Sequence, residues 1–185
     1  EVPIMDGSSA PFVFMLRAAG IAEQNAHKAV VKILDPIEVY DGKKYCKLMP
    51  YDGYKLTMEI SFAHPVFVGS NQRKTIDMFV DSYDKTVSRA RTFGFVDEVA
   101  YLQKNNLAKG ASIHNAVGFD SHSIVNPPLR YHDEPVTHKI LDAIGDLALL
   151  GYALSAEFVG YCSGHKMNKM LVDKLVANPG SWVLA

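Results

Sequence analysis

The sequence predicts an α+β fold, a two-layer sandwich in which a mixed sheet packs on helices, with a strand–helix–strand insert. Three observations carry this reading. Strand-like segments rich in Val, Ile and Tyr crowd residues 28–80. Helical spacing of apolar residues governs 135–150 and the stretch after Gly164. A further strand-like run, 153–162, lies between those two helices, so strands and helices are mixed rather than regularly alternating.

The elements follow in order. Residues 1–20 read as a loop entering a helix: Ser8 or Ser9 can cap it, Pro11 suits its first turn, and Phe12, Val13, Leu16 and Ala19 recur at helical spacing up to Gly20. Residues 21–27 are a polar joint and the candidate boundary. Lys28–Leu34 is a strand; Ile37–Tyr40 and Lys44–Met49 flank the hairpin signal Asp41-Gly42. Tyr54–Phe62 alternates as a long strand ending at His64-Pro65, and Lys74–Val80 is another. Helical spacing runs from Ser82 through Val87 and Ala90 to a turn at Arg91–Phe95. A short helix at 97–104 and short strands at 113–119 and 123–125 make an excursion over 95–127, closed by Pro127-Pro128. The long helix 135–150 has Pro135 at its start and Gly151 past its end. The last helix starts near Gly164-His165 and stops before Pro179.

Composition narrows the function. The chain has 185 residues, 48% hydrophobic and 21% charged, with a net charge of -1. That length suits one domain, or one plus a remnant of another. The apolar content excludes a disordered chain, and no run of about 18 apolar residues exists to span a membrane. A net charge near zero argues against a nucleic-acid binder. Cys46 and Cys162 lack metal-ligand spacing and read as reduced thiols of a cytosolic protein. No signal peptide is visible, and a chain that starts at Glu1 is read as a piece of a longer one.

The 135–150 helix carries the chemistry. Val136, Ile140, Leu141, Ile144, Leu147 and Ala148 share one arc that packs on a sheet. His138, Asp142 and Asp146 form another stripe at one-turn spacing, with Lys139 beside it. This pattern has two readings, a solvated face with i,i+4 pairing or a metal site, because an imidazole and a carboxylate one turn apart can reach one zinc ion. Two ligands alone fall short of the three protein ligands a catalytic zinc takes. His165, in Ser163-Gly164-His165, sits at a strand-to-helix junction; facing Asp146, it would favour the imidazolium form and could stabilise an oxyanion or protonate a leaving amine. The Arg91–Phe95 turn is either a helix end with a core phenylalanine or the mouth of a pocket.

Four blocks in this order and spacing carry a resemblance: Met5-Asp6-Gly7-Ser8-Ser9-Ala10-Pro11-Phe12, then Ser88–Phe95, then His138–Leu147, then Ser163-Gly164-His165. Together they resemble the UDP-3-O-acyl-N-acetylglucosamine deacetylases, the zinc amidases of bacterial lipid A synthesis. The resemblance implies that residues 1–20 are the last helix of an otherwise missing first domain and 21–185 a second domain, with the insert at about 95–127. It implies zinc held by His138 and Asp142. His165 then acts as acid and electrostatic stabiliser, Asp146 holds it, and Lys139 lies near the substrate phosphates. Thr92, Phe93 and Gly94 match a turn near the substrate and Phe62 a substrate-side aromatic. Val96, Val99, Leu102 and Val117 would line a passage for the acyl chain. The expected partner is the UDP-3-O-acyl-N-acetylglucosamine substrate; the full-length protein is expected to be a cytoplasmic monomer without nucleic acid or a transmembrane segment. The chain departs from the family in lacking the short Glu-His motif that supplies a third zinc ligand and the general base, so residues 1–185 alone are expected to be inactive. A non-catalytic module that binds a nucleotide-sugar or a partner is the alternative.

Overall fold

A computed structural model describes residues 3–185. The fold is mixed α+β, as the patterning predicts. Its hub is β8 (Ala153–Tyr161), nine residues of which every second one is buried: Leu154, Ala156, Phe158 and Gly160. Around it lie β1 (Val30–Ile33), β2 (Ile37–Asp41), β3 (Lys44–Met49), β4 (Tyr54–Glu59) and β5 (Arg73–Asp77). Residues 153–155 of β8 pair in parallel with β1, residues 156–161 in parallel with β4, and residues 157–161 antiparallel with β3. The β2–β3 and β4–β5 hairpins extend the sheet outward. β9 (Trp182–Leu184) adds to the far edge of β1 and is a strand the sequence reading did not foresee.

Helices cover one face of this sheet. α4 (Glu134–Ala148) packs on β4 and β5, α5 (His165–Val176) on β2 and β3, and the two helices touch each other. Val136, Ile140, Ala143 and Leu147 of α4 and Met167, Leu171 and Leu175 of α5 meet Val39, Cys46, Leu48, Leu56, Met58 and Phe158 of the sheet in one buried core. The spacing of these helix residues at three and four is why one face is apolar.

Several boundaries differ from expectation, each for a local reason. β4 stops at Glu59, not Phe62. Cys162, at φ 49°, turns the chain away just past β8, and beyond Glu59 the backbone N–H of Phe62 donates to the Gln72 side chain instead. β5 stops at Asp77 because its carboxylate accepts from Phe79 N–H and its carbonyl from Val80 and Asp81, closing a turn. α2 (Tyr83–Thr86) is one turn, far shorter than the 82–90 pattern. The segment after it is drawn instead toward Glu134. The Arg91–Phe95 turn is in fact a loop entering a strand, β6 (Phe93–Phe95). α3 (Val96–Lys104) then leads to β7 (Val117–Phe119), which pairs with β6 in parallel, while 123–125 contributes only an isolated bridge, Phe119 with Ile124. The insert is thus a small βαβ unit.

The N-terminal block sits on this insert. α1 (Ala10–Ala19) buries none of its residues, but the Gly7 carbonyl accepts from Thr92 N–H at 3.1 Å, and a Cβ on Gly7, at φ 78°, would overlap the Asn115 carbonyl. Asp6 accepts from Arg130 at 2.6 Å.

The buried Arg91–Glu134 pair joins these parts. Glu134 is fully buried and accepts from Arg91 N–H and Nε at 2.9 Å, from Arg91 Nη2 at 3.1 Å and from Arg130 N–H at 2.7 Å. Removing one partner of such a pair leaves the other charge buried and unpaired. Glu134→Ala is therefore expected to lower stability by about 3–5 kcal/mol in urea titration. Cys46 is fully buried, which pushes its thiol up to about 12, while the partly exposed Cys162 lines an open cavity. A thiol reagent should label Cys162 in the native protein and Cys46 only after unfolding.

Candidate active site

The stripe on α4 is not a solvated face. The side chains of His138, Asp142 and Asp146 are only 9%, 12% and 20% exposed, and besides the His138–Asp142 pairing within α4 they have partners on the Ala90 loop and on α5. His138 Nδ1 lies 2.9 Å from the Ala90 carbonyl, which can only accept, so Nδ1 carries a proton and Nε2 is the nitrogen turned toward Asp142. That Nε2 is 3.3 Å from Asp142 Oδ1. Asp142 Oδ2 accepts from Lys139 Nζ at 3.0 Å. Burial alone would push the Asp142 carboxyl up, but the hydrogen bond and charge of His138 and the charge of Lys139 outweigh it and hold the group at about 2. The carboxylate is therefore anionic at neutral pH.

His165 opens α5, directly opposite. Its Nδ1 donates to Asp146, at 2.9 Å from Oδ2 and 3.1 Å from Oδ1, and its Nε2 lies 4.0 Å from Asp142 Oδ1. Two imidazole nitrogens thus converge on one carboxylate oxygen. His165 remains 69% exposed, open to an incoming molecule. Asn168, three residues on, donates from Nδ2 to Asp146 Oδ2 at 2.8 Å.

Lys139 links this cluster to the insert. Its Nζ stands 5.9 Å from the ring centre of Phe93, and Phe62 meets that ring edge-on at 5.8 Å. Phe62 also stacks on Phe67 at 5.1 Å, as part of a cluster with Phe95 and Phe119. The next residue, Gly94, lines an apolar cavity of about 240 Å³ with Val96, Val99, Gln103, Ile113 and Val117. Of the residues expected on a passage wall, Val96, Val99 and Val117 are there. Leu102 is not among the cavity's lining residues, because on α3 it lies about 100° around the helix from Gln103, which takes its place. Thr92 joins through its backbone: its carbonyl accepts from Val117 N–H at 2.7 Å, holding the insert to the N-terminal block.

The structure therefore gathers His138, Lys139, Asp142, Asp146 and His165 in one place, with Phe93 and Phe62 at its edge. Sequence reasoning missed Asn168 and the Ala90 carbonyl. Asn168 was detectable from its i,i+3 spacing to His165 on a helix; the Ala90 carbonyl belongs to a distant loop and had no signal. As a donor set for a metal, His138 Nε2 and Asp142 Oδ1 have the nitrogen and oxygen chemistry that zinc accepts. Among the described residues, no group of three or more His, Cys, Asp or Glu side chains is arranged to hold a metal ion. Nor is any helix among them long and apolar enough to cross a membrane.

The chain is similar to known proteins along its length. A family model described as UDP-3-O-acyl N-acetylglycosamine deacetylase matches residues 1–177. A curated UDP-3-O-acyl-N-acetylglucosamine deacetylase of Pseudomonas entomophila is 50% identical over 183 residues, covering 98% of this chain and 60% of that protein. Those of Shewanella oneidensis and Shewanella baltica are 48% identical over 185 residues, 100% of this chain and 60% of theirs. The chain thus spans about 60% of the length of the curated relatives it matches.

Proposed function

This chain belongs to the UDP-3-O-acyl N-acetylglycosamine deacetylase family, and on that premise we propose that the protein carrying it hydrolyses the acetamide of a UDP-3-O-acyl-N-acetylglucosamine. Acetate and the free amine are the products, in lipid A synthesis. The observation that carries the reading is the convergence of His138 Nε2 and His165 Nε2 on Asp142 Oδ1, at 3.3 and 4.0 Å.

His138 and Asp142 are the residues that would hold a zinc ion, and their donor chemistry fits it. When bound, zinc supplies Lewis-acid polarisation of the acetamide carbonyl and lowers the pKa of a water toward neutrality. Two donors are one short of a catalytic set; the third ligand and the general base are assigned to the part of the relatives' length that this chain does not span. The remaining steps fall to side chains of the chain itself. Water adds to the acetamide carbon and the C–N bond breaks. The adding water gives its proton to the general base, while His165, held through Nδ1 by Asp146, faces the developing oxyanion with a protonated Nε2 and delivers the Nε2 proton to the departing amine. Lys139, beside Phe93, is the cation that would meet the substrate's phosphates. The cavity behind Gly94 receives the acyl chain, each buried methylene contributing about 0.8 kcal/mol of binding that orients the sugar. The two free thiols support a cytoplasmic location.

Three outcomes test this. In the full-length protein, His138→Ala should abolish both retained zinc, measured by elemental analysis, and deacetylation; unchanged zinc content would sink the ligand assignment. Residues 1–185 alone should release amine no faster than the uncatalysed background. Val99→Trp should fill the cavity and lower kcat/KM for a long-chain substrate by about tenfold, the loss of two methylene contacts, while leaving a short-chain analogue unaffected.

A further inference from the structure

Asn168 is a buried amide whose presence packing does not explain. It lies on the α5 face that meets α4, with 0% exposure, next to Leu171 and one turn after His165. Its Nδ2 donates to Asp146 Oδ2 at 2.8 Å. Its Oδ1 is buried and, among the described residues, has no hydrogen-bond partner. Turning the amide over would set Oδ1 against the Asp146 carboxylate, so the nitrogen must face it. An unsatisfied buried acceptor is destabilising, and a leucine of similar volume would avoid that cost. The residue therefore sacrifices stability for a single bond, the one to Asp146.

That bond has a specific consequence. Asp146 Oδ2 receives two donors from α5, His165 Nδ1 at 2.9 Å and Asn168 Nδ2 at 2.8 Å. The His165 side chain is 69% exposed, and a carboxylate pairing with so open a ring holds it weakly when nothing else fixes the carboxylate. Asn168 comes from the buried side and supplies the second α5 donor to the same Asp146 oxygen. We propose that Asn168 is a positioning residue: it locks the Asp146 carboxylate, and through it keeps the His165 ring aimed with Nε2 toward Asp142. The inference rests on the deacetylase reading above, in which His165 works beside the bond that breaks.

The test is a double-mutant cycle in the full-length protein. Asn168→Leu keeps the volume and removes the donor. The expected result is a kcat lower by about tenfold with KM changed less than about twofold, the usual scale for losing a residue that orients a catalytic group, and a melting temperature at or above that of the parent. Made over Asp146→Ala, the same substitution should cost no further activity, because both act through one carboxylate. A parental kcat, or an equal loss in the Asp146→Ala background, overturns the proposal. Asn168→Asp has the same shape and repels Asp146 instead of donating to it; it carries the same cycle, with the same deciding outcomes, where the leucine variant does not fold. NMR of the nitrogen-labelled His165 ring, without substrate, gives an independent reading. A fixed Nδ1–H signal should be lost to ring motion in either variant, and an unchanged signal overturns the proposal. Since that signal needs no turnover, a parent protein without deacetylase activity would remove the functional reading and leave the Asn168 assignment to be decided by the ring alone.

Discussion

The Glu134 carboxylate receives four hydrogen bonds, three from Arg91 and one from the backbone of Arg130, with no exposure to solvent. A buried anion is tolerable only when its oxygens are used this fully, and the bidentate arginine fixes direction as well as charge. The result is that residues 90 and 91 are locked to the first turn of α4. One turn further along the same helix is His138, and the carbonyl it needs belongs to Ala90. The orientation of the histidine is thus set by a charge pair that touches no reacting atom. Arg91 also donates to the Pro128 carbonyl, and the Arg130 side chain reaches Asp6, so the insert's closing segment and the N-terminal block hang from the same point.

The electrostatics of the site follow from where its charges are allowed to rest. Asp142 is nearly buried, yet its carboxyl is held low because His138 and Lys139 both face it. Asp146 is more open and spends its oxygens on His165 and Asn168. Two carboxylates one turn apart on α4 therefore share His165, which reaches Asp146 with Nδ1 and Asp142 with Nε2, and differ in their other partners. The apolar half of the site is built differently, from the aromatic cluster around Phe62 and from a βαβ unit whose helix and strands enclose a cavity.

What could be read from the sequence was what repeats at short range. The period of α4, the hairpin signalled at Asp41-Gly42, the strand at 153–162 and the one-turn stripe of His138, Asp142 and Asp146 are local patterns, and each appears in the structure, the hairpin turning one residue later at Gly42-Lys43. What stayed hidden depends on partners far away in the chain. Phe93–Phe95 reads as a turn because its strand partner lies more than twenty residues later, at Val117–Phe119. Trp182–Leu184 is too short to declare itself without the edge of β1. The stripe alone does not separate a wet helix face from a buried site; that needs the loop at Ala90 and the start of α5. Leu102 was expected on the passage wall from the resemblance of the insert, and the phase of α3 gives that place on the cavity to Gln103.

The central strand arrives late. β3 and β4 both lie against β8, yet more than a hundred residues separate β3 from it along the chain. During synthesis the β2–β3 and β4–β5 hairpins can close on their own, but each keeps an open edge until β8 emerges. At typical translation rates that wait is on the order of ten seconds. An open hairpin edge is a template for pairing with other chains. The nascent protein is therefore most exposed to aggregation just before its hub is made, and a chaperone holding residues 37–77 in that interval would protect the step on which the whole sheet depends.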